Sequence, residues 1–406
     1  MNLKKNFRRS ILKNGVTLLY EKRNLPLVSI GVAVKSGGMG EPSHEKGISH
    51  FIEHLLYKGT PKRSALSIAE EIEKRGGELN GFTDEEITTY WCKIPSNYAE
   101  VGFDVLFDMV KNPLFLEKEV EKERKVIFEE IKMRKDNPQI YVFDKIQSFL
   151  YEPPFGEVLI GSEKTMGSIT RKDILKRYKE AYVSNNLIVC VVGDYEYGKL
   201  KSLVEKSFVE SKGKAPSFEI VKKNESKIEK RKGLDQANLV FAFHSPLASE
   251  KESYASQVLM AFMAEGMSSR LFTEIREKRN LAYAVKGEMI IRKNSASSLI
   301  YVGTGKDKID EIKKIILEEF KTVSREFSEG DLVRAKEQLI GNYRISMEDS
   351  EIQMARLIFQ EMEGDAGIFY DFEKNISKVT LKEVKKLASE VKEGNYSFFA
   401  LVPDEN

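Results

Sequence analysis

Two segments decide the fold: "ITRKDILKRYKEAYVSNNLIVCVVGD" (169–194) and "VTLKEVKKLASEVKEGNYSFFALVPD" (379–404) superimpose end to end without a gap. In each, a threonine (Thr170, Thr380) precedes a helical period of apolar residues. An acid three residues on (Asp173, Glu383) is placed to complete a capping box. An Asn-containing turn and an apolar run ending at an aspartate follow, which reads as a helix, a turn and a buried strand. An internal repeat constrains architecture before any motif is considered, so the chain is read as two duplicated, homologous domains.

The division falls in the Lys-rich stretch "SKGKAPSFEIVKKNESKIEKRKG" (211–233), after which "QANLVFAFHSP" (236–246) starts a fresh strand pattern. The expected organisation is a first domain over 1–210, a solvated charged linker over 211–233, and a second domain over 234–406. Within the first half the pattern predicts strands at 16–20, 28–34, 88–94 and 187–192. Helices are predicted at 49–57, 67–75, 99–109, 118–134 and 173–182. Strands and helices mixed in this way, without strict alternation, predict an α+β fold of helices layered on a mainly antiparallel sheet in each domain.

The 406 residues exceed one ordinary core. Their 41% apolar and 32% charged content is that of a globular chain, and a net charge of +2 gives no reason to expect nucleic acid as a partner. The basic start, "MNLKKNFRRSILKNGVTLLYEKRN", is broken by Lys13, Asn14, Glu21 and Lys22 and reads as a charged lead-in to a first strand. No run of about 18 apolar residues occurs, so no membrane span and no membrane partner are expected, and the location expected is cytoplasmic. The two cysteines, Cys92 and Cys190, lie far apart in apolar segments and are read as buried and inert.

Two of the four histidines, with a glutamate between them, stand in "GISHFIEHLLYKGT" (47–60). At roughly 100° per residue, His50, Glu53 and His54 share one face of a helix, while Ile48, Phe51, Ile52, Leu55 and Leu56 fall on the opposite arc. Two imidazoles at i and i+4 can bind one zinc ion, and a carboxylate beside the second can act on water: the H-x-x-E-H arrangement. His44 and His244 are read as loop and strand residues. Zinc needs a third protein ligand, and the helix in "EKEVEKERKVIFEEIKMRKDNP" (117–138) offers several glutamates, Glu123 and Glu130 on one face among them. Spacing alone does not choose between them.

The stretches "HFIEHLLYKGT", "GGELNGFTDEEITTYW", "ERKVIFEEI" and "GMSSRLFTEIREKRNLAYAV" resemble a pitrilysin/insulinase-family zinc peptidase of the short, two-domain type. That type is similar to bacterial and archaeal processing proteases and to the catalytic subunit of the mitochondrial processing peptidase. The resemblance implies a zinc-dependent endopeptidase with one zinc per chain, held by His50, His54 and Glu130. Glu53 is then the general base, and Glu123 orients a ligand histidine from behind it. In "LNGFT", Asn80 and Gly81 match the residues that hold the substrate backbone as an added strand, with Gly81 standing where the family often has Ala. Turn chemistry gives Asn80-Gly81 a competing reading as a tight turn. Asp84, Glu85 and Glu86 beside this strand suggest a preference for basic substrates.

In the second half, "GMSSRLF" set against "GISHFIEH" puts Ser269 at the place of His50 and Thr273 at that of His54, so no zinc is expected there. "REKRNLAY" carries Arg276 and Tyr283, which resemble the family's pair of donors to the substrate carbonyl. The partner expected is a peptide or unfolded polypeptide, cleaved inside a closed chamber. The assembly expected is a homodimer in which Arg276 and Tyr283 of one subunit complete the zinc site of the other. Two other arrangements remain: the catalytic subunit of a heterodimeric processing peptidase, and a non-catalytic structural subunit like the family's core proteins.

Overall fold

A computed structural model describes residues 3–214 and 217–404. The first half runs β1 (Phe7–Ile11), β2 (Thr17–Lys22), β3 (Leu27–Val34), α1 (Ile48–Leu56), α2 (Ala65–Glu73), β4 (Glu78–Thr83), β5 (Thr88–Pro95), α3 (Ala99–Lys111) and α4 (Glu117–Asp136). It continues through α5 (Pro138–Leu150), α6 (Glu163–Ser168), α7 (Arg171–Ala181), β6 (Leu187–Gly193) and α8 (Tyr197–Ser207). The second half runs β7 (Ser226–Arg231), β8 (Ala237–His244), α9 (Glu252–Ala264), β9 (Ala282–Ile291), β10 (Ala296–Thr304) and α10 (Ile309–Glu326). It closes with α11 (Glu329–Ser346), α12 (Ser350–Met362), α13 (Phe372–Lys378), α14 (Leu381–Glu390) and β11 (Ser397–Pro403).

The fold is α+β with two sheets, ordered β1-β2-β6-β3-β5-β4 and β7-β11-β8-β10-β9. One pair in each is parallel, β2–β6 and β7–β11, and every other pairing is antiparallel. The last strand of each half thus enters between strands laid down earlier. The helix that precedes it is capped in the way the repeat predicts. Thr170 Oγ1 and Thr380 Oγ1 accept from the backbones of Asp173 and Glu383, whose carboxylates accept in return from the threonine backbones at 2.9 and 2.7 Å.

The compact units are not the two chain halves. One consists of the described residues of 1–132, 157–219 and 346–370, the other of those of 133–156, 220–345 and 371–406. In the first unit α12, a helix of the second half, lies on β3 and β6, where Gly31 is bare because a Cβ there would meet Met354 Sδ at 2.7 Å. In the second unit α5, a helix of the first half, lies on β8 and β11, with Phe149 stacked on Phe399 at 5.3 Å. The other face of each sheet carries the main core. Phe51, Phe103 and Leu18 are fully buried in the first unit, and Phe241, Phe320 and Ile316 in the second.

Three sequence expectations change. The Lys-rich stretch expected as a solvated run holds β7, an edge strand that Ser226, Lys227, Glu229 and Lys230 keep polar on both faces, which erases the alternation that marks a strand. Strand β1 and helix α5 were not expected either, the first because it is a mostly exposed edge strand. Finally, α9 follows β8 as α1 follows β3, so Ser269 and Thr273 belong with the segment that precedes edge strand β9, where α2 precedes β4. A short Gly-x-Ser likeness misled the register because α9, ESYASQVLMAFMA, carries no histidine to mark its kinship with α1.

Candidate metal centre

Helix α1 cannot start without Gly47, which has φ of 98° and leaves no room for a Cβ, since Met166 Cε would lie at 2.5 Å. Its first amides are capped from a distance by Glu41. Glu41 Oε2 accepts from Gly47 N at 2.8 Å and Oε1 from Ser49 N at 2.7 Å. Burial pushes the Glu41 carboxyl above the usual range, opposed by the Lys46 charge and the amide bonds. Lys46 is itself buried, donates to Gly38 O at 2.9 Å and lies 3.6 Å from Glu85. The helix that carries His50 and His54 is therefore fixed at its amino end by a buried acid and a buried lysine.

Ile48, Phe51, Ile52, Leu55 and Leu56 are all buried, as the periodicity predicts, and turn His50, Glu53 and His54 toward α4. There Val120 and Ile127 bury the inner face, which sets Glu123 and Glu130 against the histidines. His50 Nε2 lies 3.5 Å and His54 Nε2 3.7 Å from Glu130 Oε2. The three ligand atoms fall within 4.8 Å of one another, the one such group of His, Cys, Asp or Glu among the described residues. Two nitrogens and one oxygen at these separations fit ligand bonds of about 2.0–2.2 Å converging on one tetrahedral ion.

Glu123 Oε2 is 3.4 Å from His54 Nδ1, and its Oε1 accepts from Lys58 Nζ at 2.8 Å. The Nδ1 contact turns the other ring nitrogen, Nε2, toward Glu130, and Lys58 holds the carboxylate that makes the contact. Glu53 receives a hydrogen bond from Thr83 Oγ1 at the end of β4. Burial raises the Glu53 carboxyl above its ordinary value, Thr83 and the His54 charge pull it down, and Glu130 pushes it up. A raised carboxyl is suited to carrying a proton between two partners.

Strand β4 is the edge of its sheet, and its free side offers backbone groups for an added strand. The tight-turn alternative for Asn80-Gly81 is excluded: both are strand residues paired with Trp91 and Tyr90. Asn80 is exposed and its Oδ1 accepts from Gly81 N at 2.8 Å. A Cβ at Gly81 would meet Tyr57 Oη at 2.5 Å and Thr89 O at 2.8 Å, so an alanine here needs the strand or Tyr57 to move. Of the three acids beside this strand, Glu86 is buried, Glu85 lies 3.6 Å from Lys46, and Asp84 is half-buried.

Arg276 and Tyr283 lie in the second unit. Arg276 sits over the Phe272 ring at 4.9 Å, with Glu277 at 3.8 Å. Tyr283 is 47% exposed on edge strand β9, its ring across Gly303 and its hydroxyl bonded to Tyr301. His44 lies in a short 3-10 turn, and His244 ends β8 with its Nε2 3.0 Å from Lys223 O. Cys92 and Cys190 are buried, and burial pushes the Cys92 thiol up to about 12. Sequence reasoning missed Glu41, Lys58 and Thr83. Lys58 lies four residues beyond His54, in the turn just past the end of α1.

Residues 16–162 match the model of insulinase (peptidase family M16), and residues 168–339 match that of the peptidase M16 inactive domain. The chain is 35% identical over 350 residues, 85% of each chain, to an uncharacterized zinc protease of Rickettsia felis. To an uncharacterized zinc protease of Bacillus subtilis it is 31% identical over 405 residues, 98% of this chain and 99% of the other. The fold matches a protease from Helicobacter pylori with a TM-score of 0.90 at 22% identity, covering 98% of this chain and 99% of that one. No helix is long and apolar enough to cross a membrane among the described residues.

Proposed function

From the premise that this chain belongs to the insulinase family of peptidases, family M16, we propose that it is a zinc metalloendopeptidase acting on peptides and unfolded polypeptide segments. The observation that carries the proposal is the convergence of His50, His54 and Glu130 beside a buried glutamate that is not itself a ligand. His50 and His54 would hold the ion through Nε2 and Glu130 through a carboxylate oxygen. Zinc bound there supplies a Lewis acid that polarises a peptide carbonyl and makes water nucleophilic at neutral pH.

The chain's own groups do the rest. An extended substrate pairs with the free edge of β4, which sets its backbone beside α1. Glu53 takes the proton of the attacking water on its carboxylate and delivers it to the nitrogen of the leaving amine. Glu123, held by Lys58, keeps the His54 ring in one orientation throughout. Arg276 and Tyr283 of a second copy donate to the carbonyl oxygen as charge develops on it. The working assembly is a homodimer that closes around a chamber, which limits substrates to chains lacking a fixed fold.

The decisive experiment is cleavage of a long unstructured peptide by the purified chain, with chelator added and zinc then restored. Activity lost and regained supports the proposal. A zinc-loaded chain that leaves the peptide intact overturns it. Mixing an inert Glu53→Gln chain with an inert Tyr283→Phe chain tests the shared site: hybrid dimers regain activity if the donors act across the interface, and stay inert if they do not.

A further inference from the structure

Strand β4 is the substrate-binding edge in the reading above, but its inner face has a second relation to the site. Side chains alternate along a strand, and β4 divides accordingly. Phe82 faces α12 and stacks on Phe359 at 5.7 Å. Leu79 packs into the core on the α1 side, and Gly81 and Thr83 share that face. On it, Thr83 Oγ1 donates to Glu53 Oε2. The other carboxylate oxygen, Oε1, lies 3.5 Å from the point a Cβ at Gly81 would occupy. Tyr57 Oη fills the remaining room beneath Gly81, shut off from solvent and without a hydrogen-bond partner among the described residues.

We propose that the inner face of β4 is the seat of the general base: Thr83 is a positioning residue that fixes the Glu53 carboxylate. The inference rests on the reading of Glu53 as base and deepens it. A glutamate side chain has three rotatable bonds, and ordering it loses up to about 2 kcal/mol of rotamer freedom. Helix α1 fixes only the Cα of Glu53, and the Thr83 bond is its one hydrogen bond among the described residues. The seat and the substrate edge are the same six-residue strand, so a chain paired on the outer edge of β4 and the base held on its inner face move together. The arrangement sets the distance between the scissile carbonyl and the proton acceptor by the geometry of one strand.

The test is steady-state cleavage of an unstructured peptide by Thr83→Ala and Thr83→Ser chains, with zinc content and Tm measured on each. The expected result for Thr83→Ala is a fall in kcat of about 10–100-fold with KM within about twofold and zinc retained, the size a misplaced catalytic group produces. Thr83→Ser, which keeps the hydroxyl, returns kcat to within about threefold of the parent. A hydroxyl needed only to shape the strand predicts the opposite split, with KM rising and serine and alanine alike. That result, or an unchanged kcat in Thr83→Ala, overturns the inference. Glu53→Gln separates this from the premise. If Glu53→Gln cleaves at the parent rate with zinc bound, the base assignment itself falls. If Glu53→Gln is inert while Thr83→Ala runs at full rate, only the seat is wrong.

Discussion

Leaving out β1, the first sheet reads β2-β6-β3-β5-β4 and the second β7-β11-β8-β10-β9, with the parallel pair in the same place. What stands behind them differs. Helix α1 presents His50, Glu53 and His54 to α4, whereas α9, in the same position after its strand, contains no histidine, and its one acid is Glu252 in the first turn. The first unit also buries Glu21, Glu41, Lys46, Glu86, Asp108, Glu123, Arg177 and Glu361, while among the described residues of the second unit Glu274 and Glu319 are the buried charged side chains, and both pair with basic side chains. The comparison teaches that the scaffold does not require the chemistry. A polar helix face is held in place only where further buried charge supports it, and the second half, freed of that face, packs its helix with apolar residues.

If the scaffolds are equal, equivalent cores should fail equally. Phe103 on α3 and Phe320 on α10 are the buried aromatics of the helices that follow β5 and β10. Phe103→Ala and Phe320→Ala are each expected to lower stability by about 3–5 kcal/mol, read from denaturant midpoints of the unit that carries the change. A loss below about 1 kcal/mol at one site alone would break the equivalence.

A smaller effect separates the halves. Burial beside Asp84 and Glu41 pushes the Glu85 carboxyl from 4.5 to about 7, against the pull of Lys46. Between those values the folded chain keeps a proton that the unfolded chain has released. Stability in the first unit therefore falls as pH rises from about 4.5 through 7, by on the order of 3 kcal/mol in full. Glu85→Gln, which stays neutral, should remove this slope, as urea midpoints between pH 5 and 8 would show. The corresponding β9–β10 connection in the second sheet holds Arg292, Lys293, Asn294 and Ser295 and no acid. A slope that survives Glu85→Gln would assign the pH dependence elsewhere.

The parts of this molecule that were legible in the sequence are those written in neighbouring residues. The His50, Glu53 and His54 face follows from a helical period, and the duplication follows from two capped helices each running into an apolar strand. Glu130 needed the family resemblance, because α4 offers glutamates on several faces and only the packing of Val120 and Ile127 selects one. Thr83, Glu41 and the exchange of α5 and α12 left no local mark. Thr83 and the exchanged helices are fixed by contacts with segments distant along the chain, Glu41 caps α1 from six and eight residues away across a stretch without a regular period, and β7 was hidden because an edge strand with polar residues on both faces has no period to detect.

The smallest expected effect tests the feature from which the duplication was read. Thr170 and Thr380 each donate through Oγ1 to the acid at N3, at 2.6 and 2.7 Å, and each accepts from that residue's backbone at 3.4 and 3.3 Å. Both caps are exposed, so neither substitution opens a cavity, and the loss is that of the cap alone. Thr170→Ala and Thr380→Ala should each cost about 1 kcal/mol. The two values should agree within about 0.5 kcal/mol if the boxes are worth the same in both halves. Asp173 and Glu383 differ by one methylene, and the structure closes the box with either, so a gap larger than that would show that the acid's reach, not the threonine, sets the strength of the cap. Thermal or denaturant unfolding of the two single variants beside the parent chain decides between these, and the Asp173→Glu variant, which makes the boxes chemically identical, should then erase the gap.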